Sequence, residues 1–277
     1  MWGLKDSFYE NRYQYMDQLA IISIIFYLLS GLLAGRKLFS SQTKLNLQIV
    51  ILSSIALLTH AFWLYENIIL LNGQNLPILN VVSLASFVIA ALSLIMSKRL
   101  NTGVLLPVVY GFNVINFVAV MYLPSHYITH LENHSGIGSH IILAILAYAI
   151  TTIASLFALQ LAYVDYRLKN RKSPVTNLNL PPLMTLEKSL FQLILIGFIL
   201  LSGTLITGFI FLHDMFASES GHKAILTIIA WFIYGILLWG RYKKGWRGRL
   251  VIYITIAGSS LLTLAYFGSR VVREIIL

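Results

Sequence analysis

The chain contains no cysteine. Disulfide scaffolds, thiolate metal sites, iron–sulfur clusters and thiol catalysis are therefore excluded for it. Charge is almost as scarce: Asp, Glu, Lys and Arg make up 11% of the 277 residues, where a soluble domain carries about 25%. So few charges cannot cover a water-facing surface, and the hydrophobicity excludes low-complexity disorder. Acids are the scarcest of all, ten against twenty Lys and Arg, for a net charge of +10. What the chain has instead is apolar length: 58% of its residues are hydrophobic and its mean hydropathy is +0.79. These are the figures of an integral membrane protein, with the lipid bilayer as its first partner.

Eight apolar segments approach or reach the roughly 20 residues that a spanning helix needs: 19–34, 45–71, 78–96, 103–123, 137–166, 186–212, 222–239 and 250–272. Polar or helix-breaking residues bound each one. Strands of a membrane barrel would run about 10 residues and alternate. The expectation is an all-α polytopic protein, a bundle of about eight transmembrane helices forming one domain over residues 1–277. The first span reads as a retained helix: its lead holds Asp6, Glu10 and Asp17, and no small-residue cleavage site is evident. Small residues spaced by four, such as Gly31 and Gly35 or Ala147, Thr151 and Ser155, let helix backbones approach. Asn113 and Asn116, inside the fourth span, suit hydrogen bonds between helices or the lining of a path.

Lys and Arg alternate in density from one connection to the next. Counted along the chain they number 2, 3, 0, 2, 0, 5, 1, 5 and 2, so alternate sides hold 15 and 5. The positive-inside rule then puts both termini outside and the basic loops in the cytoplasm. That rule accounts first for the net charge, and nothing else favours nucleic acid. The richest connection, Arg241-Tyr-Lys-Lys-Gly-Trp-Arg-Gly-Arg249, reads as positive-inside topology with a tryptophan anchor; it also suits anionic headgroups or an acidic partner.

On this topology all seven histidines fall on the outer side or in the outer part of a span. His126, His130, His134 and His140 lie between spans four and five or at the start of span five. His213 ends span six, His222 opens span seven, and His60 lies within span two, roughly 22 Å from Leu45 at 1.5 Å per residue. Imidazole is the commonest ligand of metals and of haem iron. His140 with His213 or His222 is a candidate axial pair, walled by Tyr148, Phe211, Phe216 and Trp231; each histidine alone also fits an ordinary interfacial position. His60 is a candidate because ionisable groups inside spans are functional by default, although a bond between helices explains it as well. His126, His130 and His134 are spaced by four. A short helix from Pro124 to Gly136 would align them as a Zn²⁺ or Cu²⁺ site beside Glu132, or as a solvated face. His130-Leu-Glu-Asn-His134 has its acid in the wrong register for a zinc protease.

Several strings resemble the cytochrome c assembly family (CcsA/CcmC/CcmF). They are Ala230-Trp-Phe-Ile-Tyr234, Gly245-Trp-Arg-Gly-Arg249, Leu264-Ala-Tyr-Phe-Gly268 and the helix led by His140. Tyr127-Ile-Thr-His-Leu-Glu132, Leu159-Gln-Leu-Ala-Tyr-Val-Asp-Tyr166 and Pro181-Pro-Leu-Met184 are similar to its small YpjD/HemX-like branch. The resemblance spans nearly the whole chain. It implies a haem-handling protein of the cell inner membrane, working with cytochrome c maturation components. By the resemblance, His140 falls at an outer haem ligand and His60 at a ligand within the membrane. The tryptophan-rich WWD segment is absent: the stretch before span seven reads His213-Asp-Met-Phe-Ala-Ser-Glu-Ser-Gly-His-Lys223. His213 or His222 would then complete the ligand set, and haem-lyase activity is not expected. No phosphate loop, nucleophile–base set or carboxylate pair points to a stand-alone enzyme. Two other readings stay open: a non-catalytic partner or regulator of another membrane complex or transporter, without haem, and a conduit using His60, Asn113 and Asn116.

Overall fold

The computed structural model describes residues 2–37, 46–70, 73–100, 102–123, 127–129, 135–169, 183–212 and 221–271. Hydrocarbon offers no partner to a backbone N–H or C=O, so apolar runs of this length satisfy themselves as helices. Those helices are α1 (Trp2–Lys37), α2 (Leu47–Ile68), α3 (Ile78–Leu100), α4 (Leu106–Tyr122), α5 (Ser135–Lys169), α6 (Leu183–Phe211), α7 (Gly221–Lys244) and α8 (Arg249–Thr263). A π turn, Leu264–Gly268, carries α8 into the short α9, Ser269–Val271. Seven of the helices are long and apolar enough to cross a membrane. The exception is α4, whose 17 residues span only about 26 Å. A 3₁₀ turn at Thr102–Leu105 precedes it and adds about 8 Å, which brings the segment to bilayer thickness. Pro107 sits in the first turn of α4, where its missing N–H costs nothing.

The chain divides into two compact units, residues 1–38 with 42–130 and residues 39–41 with 131–277. The first unit holds α1 to α4. Here α1 packs on α2 and α4, and α3 packs on α2 and α4. Gly31 and Gly35 both lie against Pro107, and a Cβ at Gly31 would stand 3.6 Å from the Cβ of Tyr110. The predicted small-residue pair is therefore the seam between α1 and α4.

At one end of this unit sits a three-stranded antiparallel sheet absent from the sequence expectation: β1 (Ile69–Leu70), β2 (Gly73–Asn75) and β3 (Ile128–Thr129). Gln74 pairs with Thr129 and Asn75 with Ile128. The sheet corrects the short helix proposed from Pro124 to Gly136. Residues 128 and 129 are extended because β2 offers them a ladder. The Asn75 carboxamide oxygen also accepts from the Tyr127 N–H at 3.0 Å, and Tyr127 O accepts from Leu76 N at 2.8 Å. The candidate metal residues His126, His130 and His134 lie outside the described residues. Three asparagines lock this end: Asn67 donates to Asn80 Oδ1, Asn80 to Asn75 O, and Asn75 to Asn67 O.

The second unit holds α5 to α9. Here α5 packs on α6 and α8, and α7 packs on α6 and α8. Association in lipid has no hydrophobic drive and rests on close packing. Ala147, Thr151, Ala154 and Ala158 of α5 are all at 0% exposure, and Gly197 of α6 meets the Thr151 methyl. Gly258 of α8 receives the ring of Tyr234 from α7, so this glycine works singly, with a tyrosine ring in place of a second small residue.

Candidate functional site

Two histidines, one in each unit, hold the buried polar chemistry. In the first unit, His60 lies on the face of α2 that carries Ser53, Ala56 and Trp63, and it is 1% exposed. Its Nδ1 is 3.0 Å from Tyr27 Oη on α1, and its Nε2 is 3.0 Å from Ser83 Oγ on α3. Hydroxyls donate or accept, so either neutral tautomer is satisfied. The imidazole also sits among aromatic rings: Phe117 at 4.6 Å, Phe87 at 5.3 Å, Tyr27 at 5.8 Å and Trp63 at 6.4 Å between centroids. Around this hub run further hydroxyl bonds, Ser23 to Thr59 at 2.8 Å and Ser30 with Ser53 at 2.6 Å. Ser86 donates to Asn113 Oδ1 at 2.9 Å, which is the bond between helices expected of Asn113. Asn116, 4% exposed, makes no such bond among the described residues.

In the second unit, His140 begins the second turn of α5 and is half-buried. Its Nδ1 lies 3.0 Å from Thr204 O and 3.3 Å from Thr207 Oγ1, both on α6. A carbonyl can only accept, so Nδ1 carries the ring proton. Thr207 already donates to Gly203 O at 2.8 Å and Thr204 O at 3.1 Å, which leaves its oxygen free to accept as well. The consequence is chemical: in the neutral ring, Nε2 holds an in-plane lone pair and makes no hydrogen bond among the described residues. A fixed Nδ1–H with a bare Nε2 is how a protein prepares histidine to bind a metal. One turn earlier, the ring of Phe211 occupies the space a Cβ at Gly136 would need, so glycine there lets α5 and α6 close at this end.

Further along α5, the π turn adds an aromatic cluster. Tyr266 donates to Ala144 O at 3.2 Å, and Tyr148 lies 5.4 Å from both Tyr266 and Phe267. The π turn inserts one residue's worth of rotation, which turns Tyr266 toward α5. Trp231, expected as part of the same wall, is committed to α6: it stacks on Phe198 at 5.2 Å and donates to Ser202 Oγ at 2.8 Å. That bond also sets the register of α7. His222 lies nine residues before Trp231, about 13 Å along the axis, while Thr204 and Thr207 lie about 3 to 8 Å beyond Ser202. His222 is exposed at the start of α7, one to two turns further toward this end than His140. His213 and Phe216 lie outside the described residues. Among the described residues, no group of three His, Asp or Glu is placed to hold a metal ion. The residues that orient His140, Thr204 and Thr207, stand 64 and 67 positions from it, and no local pattern in the sequence links them to it.

A family profile described as "Cytochrome C assembly protein" matches residues 48–277. The chain belongs to the cytochrome c assembly family. Its similarity to individual members varies in depth. It is 43% identical to the inner membrane protein YpjD of Escherichia coli K12 over 263 residues, which is 94% of this chain and all of that protein. An uncharacterized 28.8 kDa protein of Azospirillum brasilense is 28% identical over half of this chain and 52% of its own length. The cytochrome c biogenesis protein CcsA of Prochlorococcus marinus is 27% identical over 34% of this chain and 30% of its own length. No solved structure matches the chain at a significant level.

Proposed function

We propose that this membrane protein of the cytochrome c assembly family handles haem, which His140 would hold through its iron. The observation that carries the reading is the His140 ring itself. Its proton is held on Nδ1 by the Thr204 carbonyl, its Nε2 makes no hydrogen bond among the described residues, and the Tyr148, Tyr266 and Phe267 rings cluster further along α5. These residues fit the group: a neutral imidazole supplies the iron ligand, and aromatic faces suit a porphyrin edge. Bound haem would bring redox and metal-ligand chemistry that no side chain of this chain has. This chain's own part is to orient the ring, keep the proton off Nε2, and shield one face from water.

His222, exposed at the same end, and His213 are the candidates that would complete the ligand set. His60 does not fit a ligand role in this state, because both ring nitrogens are engaged. The resemblance and the similarity to an inner membrane protein support a cell inner membrane location. The Lys and Arg asymmetry supports an extracytoplasmic position for both termini and for the histidine-bearing end. Maturation components of cytochrome c are the proposed partners.

The test is direct. Protein purified after expression with supplied haem is expected to show a Soret band and a bis-histidine-type low-spin spectrum on reduction. A colourless protein after the same loading removes haem and leaves the alternative, a non-catalytic partner of another membrane complex.

A further inference from the structure

Two stretches of the sequence in the second unit carry ten Lys and Arg. Five lie between Arg167 and Lys188, and five between Arg241 and Arg249. Only two of the chain's ten carboxylates, Asp165 and Glu187, lie in or beside these stretches, and the fold uses both. Asp165 pairs with Lys169 at 2.8 Å and with Arg249 at 3.6 Å. Glu187, 7% exposed, accepts from the Gly248 N–H at 3.3 Å and so caps the start of α8. These two bonds show that both connections meet at one end. No internal anion remains for the other cations among the described residues.

The turn that presents these cations is built, not slack. Gly245 and Gly248 take φ of 64° and 66°, left-handed backbone that other residues adopt at a cost. The Trp246 ring lies on Gly240, where any Cβ would overlap it. Arg241 donates to Trp246 O at 3.2 Å and lies 4.6 Å from the centroid of the Phe191 ring, so it is committed to the fold. Lys243 and Lys244, at the end of α7, lie over the Tyr242 and Trp239 rings at 5.4 and 5.3 Å, and with Arg247 on the turn they stay exposed. Beside them, Trp239 is 52% exposed and Tyr242 84% exposed. Tryptophan and tyrosine mark the headgroup level of a bilayer, so the three cations stand at the depth of lipid phosphates.

We infer that the α7–α8 turn is a seat for the phosphodiester headgroup of an anionic phospholipid, with Lys243, Lys244 and Arg247 as its ligands. Positive-inside topology needs only charge on a loop. A turn fixed by two left-handed glycines, the Glu187 bond to the Gly248 N–H and the Trp246 ring laid on Gly240 gives those charges a shared geometry. The occupant is lipid because the surrounding exposed groups are interfacial aromatics. A soluble phosphate would gain nothing from Trp239 and Tyr242.

The experiment uses the full-length protein in zwitterionic detergent micelles, titrated with phosphatidylglycerol, phosphatidylcholine or glycerol 3-phosphate and followed by native mass spectrometry. Phosphatidylglycerol is expected to bind at least tenfold more tightly than phosphatidylcholine. The triple variant Lys243→Gln, Lys244→Gln, Arg247→Gln is expected to lose that preference, and Arg36→Gln, an exposed cation in the first unit, to keep it. The charge-preserving variant Lys243→Arg, Lys244→Arg, Arg247→Lys is expected to keep it as well. Equal binding of the two lipids overturns the inference. So does a triple variant that binds like the wild type, or glycerol 3-phosphate competing at the lipid's own concentration, which would make this a free-phosphate site.

Discussion

His60 and His140 are the same residue in two similar settings, buried or half-buried on apolar helices, yet the two units treat them oppositely. The first unit consumes both nitrogens of His60, one through α1 and one through α3. The second consumes one nitrogen of His140 through α6 and, among the described residues, leaves the other. An imidazole in a membrane can join helices or bind a guest, and the count of engaged nitrogens decides which. A metal needs a lone pair, and His60 would have to release Tyr27 or Ser83 to offer one. The difference teaches that depth in the membrane does not by itself single out a ligand; on the proposed reading, the partially committed histidine is the one that binds.

The sharpest way to break this contrast is to remove each ring in turn. His140→Ala is expected to weaken haem binding at least a hundredfold, about 2.7 kcal/mol, measured by Soret titration. Its effect on unfolding in detergent should stay below about 1 kcal/mol, because the site is half-exposed and Thr204 O keeps its helical partner. His60→Ala is expected to do the reverse. It orphans Tyr27 and Ser83 in an apolar interior and opens a cavity among four aromatic rings, for a loss of about 2 kcal/mol. Haem bound per folded molecule should not change. If His60→Ala bleaches the protein while the fold holds, the division of labour between the two units is wrong.

A smaller effect resolves what His60 joins. Tyr27→Phe removes one bond from the hub and is expected to cost about 1 kcal/mol. Ser83→Ala should cost a similar amount, given that bonds between membrane helices average about 0.6 kcal/mol. The two changes share one imidazole, so a double-mutant cycle should show coupling of about 0.5 kcal/mol or more. Strict additivity would mean that the ring does not link α1 to α3.

Much of this was legible from the sequence because hydropathy is a strong, local signal. Seven of the eight expected spans match helices long and apolar enough to cross, and the fourth matches the shorter α4 with its 3₁₀ lead. Gly31, Gly35 and Asn113 were readable as contacts between helices, and each is one. What escaped depends on partners far along the chain. Residues 128 and 129 became a strand because residues 74 and 75 present a ladder, which no window around Pro124 reveals. Tyr266 reaches α5 only because α8 loosens into a π turn, and nothing in Leu264-Ala-Tyr-Phe-Gly268 announces that. The Tyr27 and Ser83 partners of His60 lie 33 and 23 residues away, so the sequence could nominate the histidine without saying whether it was open.

The smallest predicted effect concerns which group holds the His140 proton. Thr204 O at 3.0 Å is the nearer acceptor and Thr207 Oγ1 at 3.3 Å the second. A backbone carbonyl cannot be removed by side-chain substitution, but Thr207→Val is nearly isosteric and deletes the weaker acceptor. The ring should then stay protonated on Nδ1 through Thr204, with haem affinity falling about twofold, roughly 0.4 kcal/mol. The helix itself should lose little, since Thr207 bonds its own backbone at Gly203 and Thr204. A loss approaching that of His140→Ala would make the threonine hydroxyl the true anchor. Nε2 would then owe its free lone pair to a side chain, and the contrast with His60 would rest on one hydroxyl.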